Sequence, residues 1–353
     1  IEPRPVASVA VIGGGTMGSG IAAAALLADF AVIMVEQDDA ALNRGAGRVR
    51  DIVERRGPSR ALDNFTLTLD WSAIKGVDLV IEAAFEDMAV KVDIFRRLGE
   101  LARPGTILAT NTSYLDVDAI AQASGRPQDV LGLHFFSPAH LMKLLEIVRG
   151  AQTAPDCLAS ALGFAKRLGK VPVVAGNAHG FIGNRMLAVR KREAEKLLLR
   201  CGSPQKVDAA LEDFGFAMGP FKVSDLAGLD LGWTAELSNP SILRDRMCEA
   251  DRKGRKTGAG YYDYDDAGKP SASEEANAII ARFAQEQGIE QGDIAPRAML
   301  TQLLMPMIEE AQTILRDGVA RCSADIDVVW VNGYGWPRWT GGPMYWASNL
   351  ARR

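Results

Sequence analysis

Residues 6–36 read VASVAVIGGGTMGSGIAAAALLADFAVIMVE, and this stretch decides the fold. An apolar strand leads into a GxGxxG turn, an Ala- and Leu-rich helix follows, and a second apolar strand ends in Glu36. A lone GxGxxG is a weak signal, but here the strand, the helix and the acidic residue stand in the order that a dinucleotide site requires. The stretch therefore predicts the opening βαβ unit of a Rossmann-type sheet.

The turn residues have separate mechanical tasks. Gly13 permits the tight turn, Gly15 lets the backbone approach a pyrophosphate, and Gly18 lets the helix pack closely on the strand. The first helical residues, Thr16 and Met17, offer N–H groups and the positive end of the helix dipole to the phosphates. A glycine turn without any ligand is the alternative.

Glu36 stands where an acidic side chain would hydrogen-bond the hydroxyls of the adenine ribose. Its charge would repel a 2′-phosphate, and no Lys or Arg follows before Arg44. The sequence therefore favours NAD over NADP.

Strand and helix patterns alternate through the rest of the first half, which predicts a parallel, doubly wound sheet. Ligands of such sheets bind beyond the carboxyl ends of the strands. Glu86, Ser113 and His134 all stand at or just past the ends of predicted strands. We therefore expect them at one edge of the sheet.

Residues 131–150, LGLHFFSPAHLMKLLEIVRG, contain a histidine and an acidic residue on two apolar strands. A lone carboxylate such as Glu146 is costly to bury in an apolar strand unless it has a partner. His134, at the end of the neighbouring strand, is the predicted partner. A packed histidine without a chemical role is the alternative for His134.

The second half reads as helices separated by Gly- and Pro-containing turns. Residues 254–264 are predicted to form a loop and residues 265–273 a linker. The order of a Glu-Ala pair, a Leu- or Ile-rich pair, an aspartate and a Gly-rich turn occurs twice, which predicts a duplicated helical unit. We place a Rossmann domain at 1–176, a helical domain at 177–295 and a second, incomplete helical repeat at 296–353.

Bulk properties exclude several classes of protein. A net charge of −4 and a pI near 5.6 argue against affinity for nucleic acid or anionic membranes. No apolar run is long enough to span a bilayer. The four cysteines lie far apart without a metal-ligand spacing, so we expect reduced thiols and no metal site.

Seven motifs in order carry a family resemblance: GGGTMGSGIA, FEDMAVK, NTSYL, HFFSPAHLMKLLEIV, GFIGNR, GFAMGPF and GRKTGAGYYDY. The chain resembles the L-3-hydroxyacyl-CoA dehydrogenases. Its tail, ADIDVVWVNGYGWPRWTGGPMYW, resembles the second helical repeat of the multifunctional fatty-acid oxidation enzymes, so we expect the dehydrogenase portion of a multifunctional polypeptide.

The resemblance implies a catalytic set within these motifs. His134 matches the family's catalytic base and Glu146 the acidic residue that orients it. Ser113 and Asn184 match polar residues near the reacting oxygen and the nicotinamide. Where some relatives have Asn after HFF, this chain has Ser137, as the multifunctional enzymes do.

Two further positions match the cofactor side of the family's site. Glu86 and Lys91 are the acidic and basic residues of an E-x-x-x-x-K motif near the cofactor. Ser113, Asn184 and Lys91 could alternatively be a turn residue, a helix-start residue and a solvated charge.

The resemblance implies NAD-dependent oxidation of (3S)-3-hydroxyacyl-CoA to 3-oxoacyl-CoA in fatty-acid β-oxidation. It also implies an acyl-CoA substrate, a fused or associated enoyl-CoA hydratase and thiolase, and a homodimer through the helical domain. A bacterial cytoplasm is the favoured location, with peroxisome and mitochondrion open. A dehydrogenase of a non-CoA hydroxy acid and a non-catalytic subunit with the same fold stay as alternatives.

Overall fold

The computed structural model describes residues 1–350, which form two compact units. The first unit consists of Ile1–Arg185, Gln312–Tyr334 and the described residues from Gly341 to Leu350. The second consists of Met186–Ala311 and Gly335–Thr340. The domain boundaries at 176/177 and 295/296 stay predictions, and the last three residues of the range 296–353 lie outside the described part.

The first unit is built on an eight-stranded sheet with helices on both faces. The strands are β1 Ser8–Ile12, β2 Ala31–Val35, β3 Phe65–Thr68, β4 Leu79–Glu82, β5 Ile107–Thr110, β6 Val130–Phe135, β7 Leu144–Arg149 and β8 Val171–Gly176. The helices between them are α1 Thr16–Leu27, α2 Asp39–Arg56, α3 Met88–Leu101, α4 Val117–Ala123 and α5 Pro155–Arg167. The strand order is β3-β2-β1-β4-β5-β6-β7-β8, which confirms the predicted Rossmann-type fold.

The sheet is not wholly parallel, which corrects the predicted all-parallel arrangement. Strands β6 and β7 pair antiparallel, while every other neighbouring pair in this sheet is parallel. Only residues 136–143 join β6 to β7, and a parallel pair needs a longer crossover connection. Strand β3 was not predicted, because its four residues are mostly half-buried and carry no long apolar run.

The central strand β1 supplies the core on both faces of the sheet. Val9 and Val11 pack into one apolar cluster with α1, whereas Ala10 and Ile12 pack into another with α3 and α4. This division follows from the two-residue period of a strand, and burial on both faces explains why the segment is apolar without alternation.

The helical region begins with α6 Gly183–Cys201, and the helices after it are α7 Pro204–Phe214, α8 Pro220–Ala227, α9 Leu243–Glu249, α10 Glu274–Glu286, α11 Pro296–Arg316, α12 Ser323–Gly333 and α13 Pro343–Leu350. It is not purely helical. Strands β9 Tyr262–Tyr264 and β10 Pro270–Ala272 form an antiparallel hairpin within the ranges predicted to be a loop and a linker. Three-residue strands are too short to show a period of two, so the pattern could not predict them.

In both predicted helical repeats, an aspartate on one helix caps the start of the next helix. Asp208 of α7 accepts hydrogen bonds from the backbone N–H groups of Phe221 (2.9 Å) and Lys222 (3.1 Å), at the start of α8. Asp327 of α12 accepts from those of Met344 (2.7 Å) and Tyr345 (3.2 Å), at the start of α13. The shared geometry supports duplication over chance similarity of amphipathic helices.

Neither a membrane-spanning helix nor a metal-binding cluster is found among residues 1–350. None of these helices is long and apolar enough to cross a bilayer. In the same residues, no three His, Cys, Asp or Glu side chains are grouped so that they could hold a metal ion.

Candidate active site

The glycine turn after β1 leaves an open approach to the first turn of α1. Gly13 has a φ of +97°, which favours glycine, and a Cβ on Gly18 would overlap the carbonyl oxygen of Gly13. Gly15 is the N-cap residue of α1 and has no side-chain cap, and a Cβ there would meet nothing within 4 Å. The helix N-terminus therefore faces open space, which fits the pyrophosphate of a dinucleotide.

Glu36, directly after β2, lies against this turn. Its Oε1 accepts a hydrogen bond of 2.6 Å from the backbone N–H of Gly14, and its Oε2 accepts one of 3.1 Å from Gln37. The guanidinium of Arg48 donates to the carbonyl oxygen of Gly14 at 2.9 Å. The carboxylate is therefore held beside the turn where the adenine ribose of a dinucleotide would lie, which fits the predicted role.

Glu86 is anchored to the loop that follows β5. Its Oε1 accepts from the Thr112 hydroxyl at 2.6 Å and from the Ser113 backbone N–H at 2.8 Å. These contacts bring the FEDMAVK and NTSYL motifs together at the carboxyl edge of β4 and β5. The Ser113 hydroxyl has no hydrogen-bond partner among the described residues and is half-buried.

Lys91 is not a solvated charge, because its side chain is only 1% exposed. Its Nζ lies 2.8 Å from Oε1 of Glu82 and 3.4 Å from Oε2 of Glu86. Glu82, at the end of β4, is fully buried and also accepts from the Thr110 hydroxyl. Lys91 thus ties Glu86 to the sheet, and its direct contact with a cofactor stays a prediction.

Sequence reasoning overlooked Glu82, although the signal was present. Glu82 is a lone carboxylate within an apolar strand, as Glu146 is. Burial of either carboxylate is costly without a partner, and Lys91 is the partner of Glu82.

His134 and Glu146 face each other across the antiparallel pair of β6 and β7. Nδ1 of His134 lies 2.8 Å from Oε2 of Glu146, and their side chains are 5% and 0% exposed. With Nδ1–H donating to the carboxylate, Nε2 carries the lone pair and can accept a proton. The predicted contact between these residues is therefore present.

The second oxygen of Glu146 is also occupied. Oε1 accepts from the backbone N–H groups of Gly183 (3.1 Å) and Ile182 (3.3 Å), at the start of α6. A carboxylate at a helix N-terminus is stabilised by the helix dipole as well as by these hydrogen bonds. Glu146 is thus held by both oxygens and can orient the imidazole.

Two aromatic rings enclose the imidazole of His134. The ring centroid of Phe136 lies 4.5 Å away and that of Phe181 lies 5.6 Å away. They shield the His134–Glu146 pair from water, which strengthens the electrostatic interaction between its members.

Asn184 lies in the first turn of α6, one residue beyond the peptide that binds Glu146. Its Oδ1 accepts a hydrogen bond of 2.9 Å from the hydroxyl of Tyr334. Its Nδ2 has no partner among residues 1–350. Tyr334 was not predicted as a site residue, since Asn184, to which its hydroxyl donates, is 150 positions away in sequence.

Asn111 is a further residue that the sequence analysis did not single out. Its Oδ1 accepts from the backbone N–H of Phe135 at 2.9 Å, which ties the loop carrying Ser113 to the end of β6. The structure thus joins the Ser113 loop, His134, Glu146 and Asn184 through direct contacts.

Comparisons with known proteins agree with this geometry. A model of the NAD-binding domain of 3-hydroxyacyl-CoA dehydrogenase matches residues 8–178, and a model of the C-terminal domain of that enzyme matches residues 180–264. The peroxisomal bifunctional enzymes of Danio rerio and Homo sapiens are 43% and 40% identical to this chain. Both matches cover 98% of the chain and 52% of the relative, so the chain spans about half the length of these curated relatives.

Solved structures similar to this chain include dehydrogenases of 3-hydroxyacyl-CoA type and part of a multifunctional enzyme. The 3-hydroxybutyryl-CoA dehydrogenase of Escherichia coli has a TM-score of 0.80 at 29% identity, over 98% of this chain and 92% of that one. FadB2 of M. tuberculosis has a TM-score of 0.67 at 34% identity, over 74% and 100%. The dehydrogenase part of multifunctional enzyme 1 from C. elegans has a TM-score of 0.68 at 31% identity, over 95% and 80%.

The fold and the glycine turn define an NAD-binding dehydrogenase of the Rossmann class. Within that class, the chain belongs to the 3-hydroxyacyl-CoA dehydrogenase family. The predicted family and the predicted NAD-binding domain are confirmed.

Proposed function

We propose that this chain oxidises (3S)-3-hydroxyacyl-CoA to 3-oxoacyl-CoA with NAD, as a step of fatty-acid β-oxidation. The buried His134–Glu146 pair is the observation that carries the proposal. Oxidation of a secondary alcohol needs a group that takes the hydroxyl proton near neutral pH, and histidine is suited to that task.

In the proposed reaction, Nε2 of His134 takes the proton of the substrate's 3-hydroxyl group. Glu146 faces the other ring nitrogen, so its charge stabilises the imidazolium as it forms. NAD supplies the hydride acceptor when it is bound. The rings of Phe136 and Phe181 limit competing contact of the imidazole with water.

Asn184 and Ser113 are the proposed donors to the reacting oxygen or to the thioester. Both are half-buried, and Nδ2 of Asn184 and the Ser113 hydroxyl are not used by other groups among the described residues. Such preorganised donors stabilise charge that develops on oxygen in the transition state.

Gly13, Gly15, Thr16, Met17 and Gly18 are the proposed pyrophosphate-binding residues. The open N-terminus of α1 supports this assignment. Glu86, held by Lys91, is proposed to line the cofactor site at the carboxyl end of β4.

Glu36 is the proposed determinant of NAD over NADP. In the Glu36→Ser, Gln37→Arg double variant, the ratio of kcat/KM for NAD to that for NADP should fall, since the repulsion is removed and a cation is added. Equal kcat/KM for the two cofactors in the unchanged protein would contradict a position of Glu36 at the ribose.

The decisive experiment for the function is NADH formation from 3-hydroxybutyryl-CoA, compared with free 3-hydroxybutyrate. We expect turnover of the thioester and little of the free acid. Turnover of the free acid alone would favour the non-CoA dehydrogenase, and turnover of neither would favour a non-catalytic subunit.

His134→Gln is the matched control for that assay. It should lower kcat by about 10²- to 10⁴-fold, the contribution of a positioned acid–base group. NAD affinity should stay near that of the unchanged protein, because the glycine turn lies on other strands.

Partners and location complete the proposal. The matched relatives are named peroxisomal bifunctional enzymes. We propose an enoyl-CoA hydratase fused to or associated with this chain, an associated thiolase, and a homodimer formed through the helical region. A bacterial cytoplasm or a peroxisome is the proposed location. Sedimentation of the purified chain tests the dimer, which a monomer mass at micromolar concentration would contradict.

A further inference from the structure

Tyr334 lies at the C-terminal end of α12, far in sequence from the rest of the site. Its hydroxyl donates to Oδ1 of Asn184 at 2.9 Å. An Asn side chain presents an acceptor at one end and a two-proton donor at the other. Because Tyr334 occupies the acceptor end, the donor end, Nδ2, is the one left for a ligand.

The ring of Tyr334 is fixed independently of its hydroxyl. It packs edge-on against Phe136, with centroids 5.4 Å apart, and it stacks on the fully buried Trp330 at 4.9 Å. A Cβ on Gly183 would overlap the Tyr334 ring, so glycine at 183 permits this approach. The packed ring therefore fixes the position of the Tyr334 hydroxyl.

These contacts connect Tyr334 to His134, the proposed proton acceptor, and to Asn184. Tyr334 packs on Phe136, whose ring lies 4.5 Å from that of His134. His134 faces Glu146, which accepts from the N–H of Gly183, the residue before Asn184. Asn184 and His134 are thus oriented by one connected set of groups. Tyr334 completes this set, because it contacts both Asn184 and Phe136.

We infer that Tyr334 is a positioning residue that orients the Asn184 amide so that Nδ2 donates to the substrate's reacting oxygen. The inference rests on the proposed function for the identity of that oxygen. It assigns to the second helical repeat a direct part in building the active site.

Tyr334→Phe tests this, since it removes the hydroxyl and keeps the ring. We expect kcat for 3-hydroxybutyryl-CoA to fall about tenfold, the order of one neutral hydrogen bond. The KM for NAD and the pH dependence of kcat should not change, because His134 and Glu146 keep their contacts. A variant with kcat within twofold of the unchanged protein would overturn the inference.

Tyr264→Phe is the matched control. It also removes a hydrogen-bonded tyrosine hydroxyl, in this case one within the second unit that donates to the carboxylate of Asp225 at 2.9 Å. Its kcat should equal that of the unchanged protein. An equal loss of kcat in both variants would mean that the Tyr334 effect is a general loss of structure.

A double-mutant cycle separates positioning from packing. If Tyr334 acts through Asn184, then Tyr334→Phe should have no further effect on kcat in an Asn184→Ala background. An undiminished tenfold loss in that background would overturn the inference.

The same cycle in urea unfolding distinguishes this inference from the function itself. An unchanged protein that does not oxidise the thioester contradicts the proposed function. The inference then depends on the unfolding midpoints: non-additive shifts for Tyr334→Phe and Asn184→Ala support the coupling, and additive shifts overturn it.

Discussion

The two helical repeats share a scaffold and differ in what they contribute to the site. In both, an aspartate caps the helix after a Gly-rich turn, as Asp208 and Asp327 do. Both turns carry an aromatic-Gly-aromatic sequence, residues 214–216 and 334–336, with a left-handed glycine at its centre. The two repeats thus share the backbone conformation of this turn and its aspartate cap.

The side chains at the first aromatic position separate the repeats. Phe214 has no hydroxyl and packs against Trp336 at 5.5 Å. Its counterpart Tyr334 keeps a packed ring and adds a hydroxyl that binds Asn184. One added oxygen converts a packing position into a polar contact at the proposed active site. The two turns therefore share a backbone conformation and differ at this position by one polar contact.

The largest expected effect concerns Glu146, the carboxylate that accepts hydrogen bonds from the start of α6. The start of α6 donates two N–H groups to Glu146, and Glu146→Gln removes the charge that stabilises the imidazolium. We expect kcat to fall by about 10²- to 10⁴-fold with the fold retained.

Glu193→Gln on the same helix is the control, because Glu193 contacts Lys196 and Gln302 rather than His134. Steady-state kinetics of both variants should show a loss only for Glu146→Gln. An unchanged rate for Glu146→Gln would remove the main support for the proposed base.

The next effect compares equivalent positions of the two first helices. Asn184 lies nine residues before Glu193, and Thr301 lies nine before Glu310 in the second copy. Asn184→Ala should lower kcat by about 10²-fold, as the loss of an oxyanion donor does. Thr301 is exposed and bonds only to its own helix, so Thr301→Ala should leave kcat unchanged. Equal kcat values for the two variants would erase the functional difference between the repeats.

Local sequence patterns predicted the parts of the molecule that local physics determines. The glycine turn, Glu36 and the His134–Glu146 contact follow from short motifs and from the cost of burying a lone carboxylate. The antiparallel direction of β7 could also have been predicted, since residues 136–143 are too few for a crossover connection. The alternation of strand and helix patterns suggested a parallel sheet instead.

Other features could not be read from the sequence. The contact between Tyr334 and Asn184 joins residues 150 positions apart, and no periodic pattern encodes such a pairing. The short strands β3 and β9 depend on neighbours that pair with them rather than on their own composition. Tertiary context decides these elements.

A stability effect tests whether the shared turn is equally tight in both repeats. A Cβ on Gly219 would overlap Asp208, and one on Gly342 would overlap Asp327. Gly342 also has a φ of +117°, whereas Gly219 has an ordinary φ of −75°. Gly342→Ala should therefore lower the free energy of unfolding by about 3 kcal/mol, and Gly219→Ala by about 2 kcal/mol.

Gly163→Ala is the control for these two variants. Gly163 is exposed within α5, and a Cβ there meets nothing within 4 Å, so alanine should stabilise by up to about 1 kcal/mol. Urea denaturation of the three variants measures the differences. A neutral Gly219→Ala would mean that the turn of the first repeat is looser than that of the second.

The last effect concerns the charge on the two capping aspartates. Burial raises the pKa of Asp208 to about 6, and it also raises the pKa of the half-buried Asp327. A carboxyl group with a raised pKa in the folded state binds its proton more tightly there than in the unfolded chain. The stability that it contributes is therefore present below about pH 4 and is lost as the pH rises to about 6.

Asparagine cannot lose a proton, so the substitution removes this dependence. The free energy of unfolding of Asp208→Asn, relative to the unchanged protein, should rise by about 1 kcal/mol per pH unit between pH 4 and pH 6. Asp327→Asn should change in the same direction but by less, because water reaches the half-buried carboxyl group. Urea denaturation at pH 4, 5, 6 and 7 gives both slopes. If the free energy of unfolding of Asp208→Asn relative to the unchanged protein stays constant across this range, the pKa of Asp208 is not raised in the folded state.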